Sequence, residues 1–303
     1  MYDLIIIGGG PAGVAAGVYA SRKRIKTALI STDIGGQSVN SASIENFIGY
    51  KALSGLDFAR VLEDHLSAQD HIDIMLGKTV EAVDATQEGY RVSISGGETL
   101  TTKNILFTLG SSYKKLTVSG EKEYEGKGVF YCSICDAPLM KGKDVLVVGG
   151  GNSALEAVLD LVPYAKSIQL LNRSDVLRGD EVYQEKIKQY SRVSIHTNTV
   201  VEEFIGGQFL QKARVRNTQT NAQEELLVEG VFVAIGYQPN TAMVKDLVVL
   251  NERGQIIVDH KTMQTSRAGI WAAGDCTDGL YHQINTASGD GVKAALNIYE
   301  TLR

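Results

Sequence analysis

The sequence predicts an α/β protein built from two similar strand–turn–helix units, the second carried on an insertion within the first. Three observations carry that prediction. Residues 4–16, LIIIGGGPAGVAA, and residues 145–157, VLVVGGGNSALEA, are one pattern written twice: four aliphatic residues, three glycines and a helix-forming run. Three more apolar runs end in glycine, at Asn104–Gly110, Gly230–Gly236 and Ala268–Gly274, the last followed by Asp275. The stretch from about Ser288 to Leu302 places Val292, Ala295, Leu296 and Tyr299 on one side at helical spacing.

Each element follows from its pattern. A short unbroken aliphatic run fits a strand buried on both faces of a parallel sheet. Gly8-Gly9-Gly10-Pro11-Ala12-Gly13 then fits G-x-G-x-x-G. Gly8 allows the tight turn, Gly10 lets backbone approach a pyrophosphate, and Gly13 lets the helix pack close to the strand. Phosphates there meet the positive end of the helix. The next strand, Thr27–Ile30, ends in Ser31-Thr32-Asp33 and lacks a well-placed Glu for a ribose. Gly149-Gly150-Gly151-Asn152-Ser153-Ala154 repeats the template with Ala in the third position. Its following strand, Ser167–Leu171, ends in Asn172, then Arg173, Ser174 and Arg178. A carboxylate at that place would bind a free ribose hydroxyl, whereas arginines accommodate a 2′-phosphate, so NADPH is expected over NADH. The prediction is therefore two Rossmann-like dinucleotide-binding domains, the second inserted into the first. Residues 1–112 and 243–303 form the discontinuous domain and 115–241 the insert. The connections fall at Ser111–Lys115 and Gln238–Thr241, where Pro239 supports a break.

Cys132-Ser-Ile-Cys135-Asp136 lies just before the second glycine cluster. Three chemistries fit the spacing. A small disulfide ring is reducible and suited to exchange. Zinc would want a second ligand pair, for which only Cys276 and His282 offer themselves, and no second C-x-x-C exists. Two unreactive buried thiols are the third. The redox pair is favoured because the chain already presents two dinucleotide loops. Asp136 is either a proton donor to a leaving thiolate or a helix cap ahead of Ala137-Pro138. Asp275 is placed for a ribityl hydroxyl or serves as a turn former. The five histidines show no metal spacing, no metal is expected, and no serine elbow is present.

Composition sets the outer bounds. The 303 residues are 44% hydrophobic and 21% charged, with net charge −5. These values suit a globular chain and argue against a dedicated nucleic-acid binder, which would show a basic face. No apolar run approaches the roughly 18 residues of a membrane span. The N-terminus shows no basic leader or cleavage-type apolar segment, so a cytoplasmic location is expected.

Taken together, these motifs resemble the low-molecular-weight thioredoxin reductases over nearly the whole chain. Gly35-Gly36-Gln37, Ile44 to Phe47, Gly128 to Asp136, Gly149 to Ala154, Ala234-Ile235-Gly236 with Pro239-Asn240-Thr241, and Gly274-Asp275 with Gln283 carry the resemblance. It implies a flavoprotein oxidoreductase with FAD in the discontinuous domain and NADPH in the insert. A homodimer is implied, with thioredoxin or a thioredoxin-like protein as partner. FAD would meet Gly8, Gly10, Pro11, Ala12, Gly13, Ser31 and Thr32, then Gly35, Gly36, Gln37 and Asn46. Val80, Gly110, Asp275, His282, Gln283 and Ile284 would complete its site. NADPH would meet Gly149, Gly151, Asn152, Ser153, Asn172, Arg173, Ser174, Arg178, Ile235 and Gly236. Cys135 would be the flavin-proximal thiol, Cys132 the one that attacks the partner, and Asp136 the acid.

Departures from the family pattern are local. The usual His-Arg-Arg-x-x-x-Arg is here Asn172-Arg173-Ser174 and then Arg178, Ile48 replaces Pro, Ala137 replaces Gly, and His282 stands where Arg often precedes Gln283. A relative taking electrons from NADH or ferredoxin, or a dithiol oxidase, is the alternative reading. Another is the peroxiredoxin-reducing flavoprotein, which carries an extra N-terminal thioredoxin-like part not seen here. A flavin-bound scaffold without activity would not need both Cys132 and Cys135.

Overall fold

The computed structural model describes residues 1–41 and 44–303, and the chain divides into two compact units. The discontinuous unit comprises Met1–Val39, Ile44–Ser112 and Gln238–Arg303; the inserted unit is built on Tyr113–Tyr237. In the discontinuous unit a seven-stranded sheet has Tyr2–Ile7 at its centre, between Thr27–Ser31 and Glu98–Phe107, all parallel. Ile72–Leu76 extends one edge in parallel. The long strand Glu98–Phe107 serves two neighbours. Its first half pairs antiparallel with Gly89–Ile94, which in turn pairs with Val80–Thr86, and its second half pairs in parallel with Ile270–Ala272. Leu4, Ile5 and Ile6 are fully buried, as are Ile105 and Phe107 beside them, so the unbroken aliphatic runs are strands covered on both faces.

Two helices lie against each other on this sheet, Pro11–Arg22 and Ile284–Thr301. Their approach depends on small residues: a Cβ on Gly291 would stand 2.1 Å from the Ala12 carbonyl oxygen. The C-terminal helix begins at Ile284, one turn before the apolar periodicity starts. Gln283 supplies the extended N-cap backbone, and the Ser288 hydroxyl donates to the Ile284 carbonyl within that first turn.

The inserted unit holds a parallel sheet in the order Val193–His196, Ser167–Leu171, Asp144–Val148, Gly230–Val233 and Val129–Phe130. Side chains alternate between its faces. Val145, Val147, Ile168 and Leu170 pack with the helix Asn152–Leu161. Leu146, Val148, Leu171 and Val231 pack instead with Val201, Phe204, Leu210 and Val215. Those last four belong to a three-stranded antiparallel sheet, Thr199–Gly206, Leu210–Asn217 and Gln223–Leu227. The chain passes between the units through Ser111–Tyr113 and Tyr237–Pro239, which pair as a two-stranded ribbon. No helix among the described residues is long and apolar enough to cross a membrane.

Candidate active site

The first glycine turn follows the strand Tyr2–Ile7 directly. Gly8 has φ +117°, which L side chains avoid, and a Cβ on it would lie 2.3 Å from the Thr108 carbonyl oxygen. Gly13 is closed differently: its Cβ would stand 1.9 Å from the Gly8 carbonyl oxygen. Gly10 alone faces open space, with nothing within 4 Å of a Cβ. The helix that starts there has Pro11 in its first turn, no side-chain cap and no acidic residue. The helix Gly55–Ser67 shows the contrast. Ser54 caps Gly55–Ser67 by accepting from the Asp57 N–H, and Asp57 adds a carboxylate. An uncapped positive helix end beside an open glycine fits a pyrophosphate.

Around this turn the other expected flavin-side residues gather in the same unit. Gly9 N–H donates to Ser31 Oγ at 2.8 Å, and Ser31 donates to the Asp33 carbonyl, while Thr32 donates to the Asp33 carboxylate. Gly35 N–H donates to the Gly9 carbonyl at 2.9 Å, and a Cβ on Gly36 would touch the Gly10 Cα. The Gln37 amide donates to the Ser111 carbonyl. Gly110, at φ +63°, receives the Asn240 N–H on its carbonyl. Asn46 Nδ2 donates to Gln283 Oε1 at 3.1 Å, and Asn285 donates back to the Asn46 carbonyl, which ties the segment after Ile44 to the C-terminal helix. Val80 is a buried sheet residue paired with Ile94. Gly274 packs against Ala12 and Ala287, which sets Asp275 beside the same helix start. Burial raises the Asp275 carboxyl, opposed by His282 and reinforced by the Asp290 carboxylate.

The second turn repeats the first. Gly149 has φ +149° and a Cβ there would meet the Ala234 carbonyl oxygen at 2.4 Å and Ala154 Cβ at 2.9 Å. Gly151 faces open space and begins the helix Asn152–Leu161 with no side-chain cap and no acidic residue in the first turn. Ser153 is exposed in that turn, and Ile235 and Gly236 follow the neighbouring strand Gly230–Val233. Asn172 is only 4% exposed, and its Nδ2 donates to the carbonyls of Ser174 and Val176, both at 2.9 Å. Arg173 and Arg178 are exposed, and among the described residues neither side chain has an ion-pair partner.

Cys132 and Cys135 are joined as a disulfide with their Cα atoms 5.3 Å apart. The short helix Ser133–Asp136 carries the ring, and the Asp136 N–H donates to the Cys132 carbonyl. Ser133 Oγ donates to Asp160 Oδ2 at 2.7 Å, which fastens this helix to the one that starts at the second glycine turn. Ile134, between the cysteines, is 63% exposed. Asp136 behaves oppositely. It is 6% exposed, its Oδ1 has no hydrogen-bond partner among the described residues, and burial pushes its carboxyl up to about 7. Cys276 is the remaining thiol, fully buried, donating weakly to the Ala273 carbonyl, and burial lifts it to about 11.

Two residues of this neighbourhood escape the sequence reading. Asp180 pairs with Asn152 across the second turn, and its only sequence signal is its place just ahead of the helix Glu181–Lys188. Glu121 is 4% exposed and accepts from the Leu116 and Thr117 N–H groups and from the Tyr131 hydroxyl, next to Cys132. A surface-type residue in a polar stretch gave no hint of that burial.

Two open glycine turns and a sulfur pair followed by a protonatable carboxyl are the features that dinucleotide-linked disulfide exchange calls for. The chain belongs to the pyridine nucleotide-disulphide oxidoreductase family, which its residues 2–291 match. That family implies a flavoprotein with FAD and a pyridine nucleotide. By sequence the chain is similar to the F subunit of alkyl hydroperoxide reductase in Pseudomonas putida, 41% identical across 99% of this chain. It spans only 58% of that relative's length. By structure it is similar to thioredoxin reductase from Streptococcus pyogenes MGAS5005, with TM-score 0.93 and 34% identity over 100% of this chain and 98% of the other. Thioredoxin reductase from Giardia duodenalis gives TM-score 0.91 at 30% identity, covering 99% and 98% of the two chains.

Proposed function

We propose that this chain is an NADPH-dependent disulfide reductase that hands two electrons through Cys132 and Cys135 to thioredoxin or a thioredoxin-like protein. The observation that carries the reading is the Cys132–Cys135 disulfide followed by a buried carboxyl near neutrality whose Oδ1 has no partner among the described residues. On this reading Gly8–Gly13, Asp275 and their neighbours hold FAD, and Gly149–Ser153 with Arg173 and Arg178 hold NADPH. When bound, the two cofactors supply a two-electron couple able to open the disulfide.

The chain's own residues do the exchange. Reduced Cys132 attacks one sulfur of the partner's disulfide, forming a mixed disulfide and releasing one partner thiolate. Cys135 then attacks Cys132 Sγ, re-forms the ring and releases the second thiolate. Two electrons leave with the partner, and Asp136 supplies a proton to a departing thiolate. A carboxyl near 7 is about half protonated at neutral pH, which suits that task. Exposed Ile134 offers the partner an apolar contact between the two sulfurs.

The similarity to the alkyl hydroperoxide reductase chain favours a second acceptor, a disulfide protein of a peroxide-reducing system. Supplying thioredoxin and such a peroxidase in parallel assays separates the two. Cys132→Ser and Cys135→Ser should each abolish reduction of either partner while NADPH still bleaches the flavin. Full reductase activity in both variants would overturn the proposal.

A further inference from the structure

We propose that Asn152 and Asp180 form a clasp that positions Arg178, and that this clasp sets the protein's discrimination for a phosphate on the ribose 2′-oxygen. The proposal rests on the reading of the inserted unit as the NADPH-binding one. After the strand Ser167–Leu171 the chain runs through residues 172–180 before the helix Glu181–Lys188. In a fold of this kind the ribose sits against that stretch. Asn172, at the strand end, has both amide hydrogens committed to Ser174 and Val176. It folds the loop, and the work of reading a phosphate falls to Arg173 and Arg178.

Arg178 is held at its backbone. Its N–H donates to the Gly150 carbonyl at 2.6 Å, and the Gly179 N–H donates to the same oxygen at 3.0 Å. The loop is thereby bonded to the glycine turn itself. Asp180 completes the attachment: Asn152 Oδ1 accepts from the Asp180 N–H at 2.7 Å, and Asn152 Nδ2 donates to Asp180 Oδ2 at 3.1 Å. Gly179 leaves no slack, since a Cβ there would stand 2.4 Å from Leu155 Cδ1 and 3.1 Å from Asn152 Oδ1. Gln184 donates to the Gly179 carbonyl from the other side at 2.7 Å.

Two features turn this attachment into a specificity device. Asn152 stands in the first helical turn, where its side chain would compete for the free N–H groups, yet it is turned outward onto Asp180, and those donors stay available for phosphate. Asp180 also brings a carboxylate close to a site meant for anions, a cost that an apolar or neutral residue would avoid. The paired hydrogen bonds offset that cost. A long arginine has much side-chain freedom to lose on binding, and fixing its backbone is what fixes the reach of its guanidinium.

The test measures binding to the FAD-loaded protein by calorimetry, with adenosine 2′,5′-bisphosphate and AMP as probes. Asn152→Ala should lower the ratio of bisphosphate to AMP affinity about tenfold, one decade of discrimination. Amide exchange over residues 174–180 should rise in the same variant while the strands Asp144–Val148 and Gly230–Val233 stay protected. Asp180→Asn and Asp180→Ala remove the same charge, but only the asparagine keeps an acceptor for Asn152 Nδ2. Asp180→Asn should therefore hold or raise the wild-type ratio of bisphosphate to AMP affinity, and Asp180→Ala should lose it. The clasp is overturned if Asn152→Ala keeps the wild-type ratio, or if the two Asp180 variants behave alike. If the unmodified protein binds both probes equally, the NADPH reading falls and the clasp with it. Discrimination that persists in every variant removes the clasp alone.

Discussion

Replacing Asp136 by asparagine should make the inserted unit more stable and the enzyme slower. The carboxyl is 6% exposed, its Oδ1 has no partner among the described residues, and burial lifts it from 3.8 to about 7. At about 1.4 kcal/mol for each pH unit, holding it ionised in the folded protein costs about 4 kcal/mol, an upper figure because local relaxation relieves part of it. The sign follows from proton binding. Below about pH 4 the folded and unfolded chains both carry the proton, and wild type and variant differ little. As pH rises toward 7 the unfolded carboxyl ionises while the folded one keeps its proton, so wild-type stability falls relative to the variant. Above the folded value near 7 the gap is constant at its maximum. Amide exchange of the strands Asp144–Val148 and Gly230–Val233 reads this unit without interference from the other. The gap between the two proteins should be small at pH 4.5 and approach about 4 kcal/mol at pH 8.5. Turnover with the partner disulfide should drop about a hundredfold, the lower range for loss of a general acid. A gap that is the same at both pH values would refute the reasoning, since the carboxyl would then not be lifted by burial.

One open glycine and one closed glycine of the first turn separate folding from cofactor binding. Gly10→Ala places its methyl where the protein has no atom within 4 Å, so the variant should fold, seen by circular dichroism, yet purify with little FAD; Gly13→Ala, 1.9 Å from the Gly8 carbonyl oxygen, should lose folded yield itself. Arg173→Ala and Arg178→Ala should each raise KM for NADPH about tenfold and that for NADH far less, since a charge-assisted hydrogen bond contributes about 1.5–3 kcal/mol. Equal effects on the two nucleotides in steady-state kinetics would show that these arginines do not read the phosphate.

What the sequence made legible was whatever a local pattern encodes. The aliphatic runs at 4–7 and 145–148 are strands because burial on both faces demands an unbroken run, and after them Gly8 and Gly149 are forced by positive φ and Gly13 by backbone contact. The cysteine spacing likewise pointed to a ring, and the two sulfurs are bonded. Tertiary choices were hidden. Nothing in Thr199–Gly206 or Leu210–Asn217, rich in charge, announced that Val201, Phe204 and Val215 cover one face of the parallel sheet. Asn172 illustrates the limit at the site: the sequence showed only a neutral residue at the strand end, and the structure adds that its amide closes its own loop. The direction of a side chain is decided by neighbours distant in sequence, such as Gly150, whose Cβ would collide with Asn172 at 2.2 Å.

The order of synthesis runs across this architecture in an unusual way. The discontinuous unit needs the strand Ile270–Ala272 beside Glu98–Phe107, and it needs Gly291 against Ala12, contacts between the first and last parts of the chain. The inserted unit needs nothing beyond Tyr237. As the polypeptide leaves the ribosome, the insert is therefore the first unit able to finish, while the earlier-made strand Glu98–Phe107 waits with the apolar edge at Ile105–Phe107 that Ile270–Ala272 later covers. During that interval the cysteine pair is already housed in the insert, before Gly291 can close on Ala12 at the first glycine turn. A truncation after residue 240 would leave a folded insert attached to an open sheet, a species expected to aggregate through its unpaired strand edge.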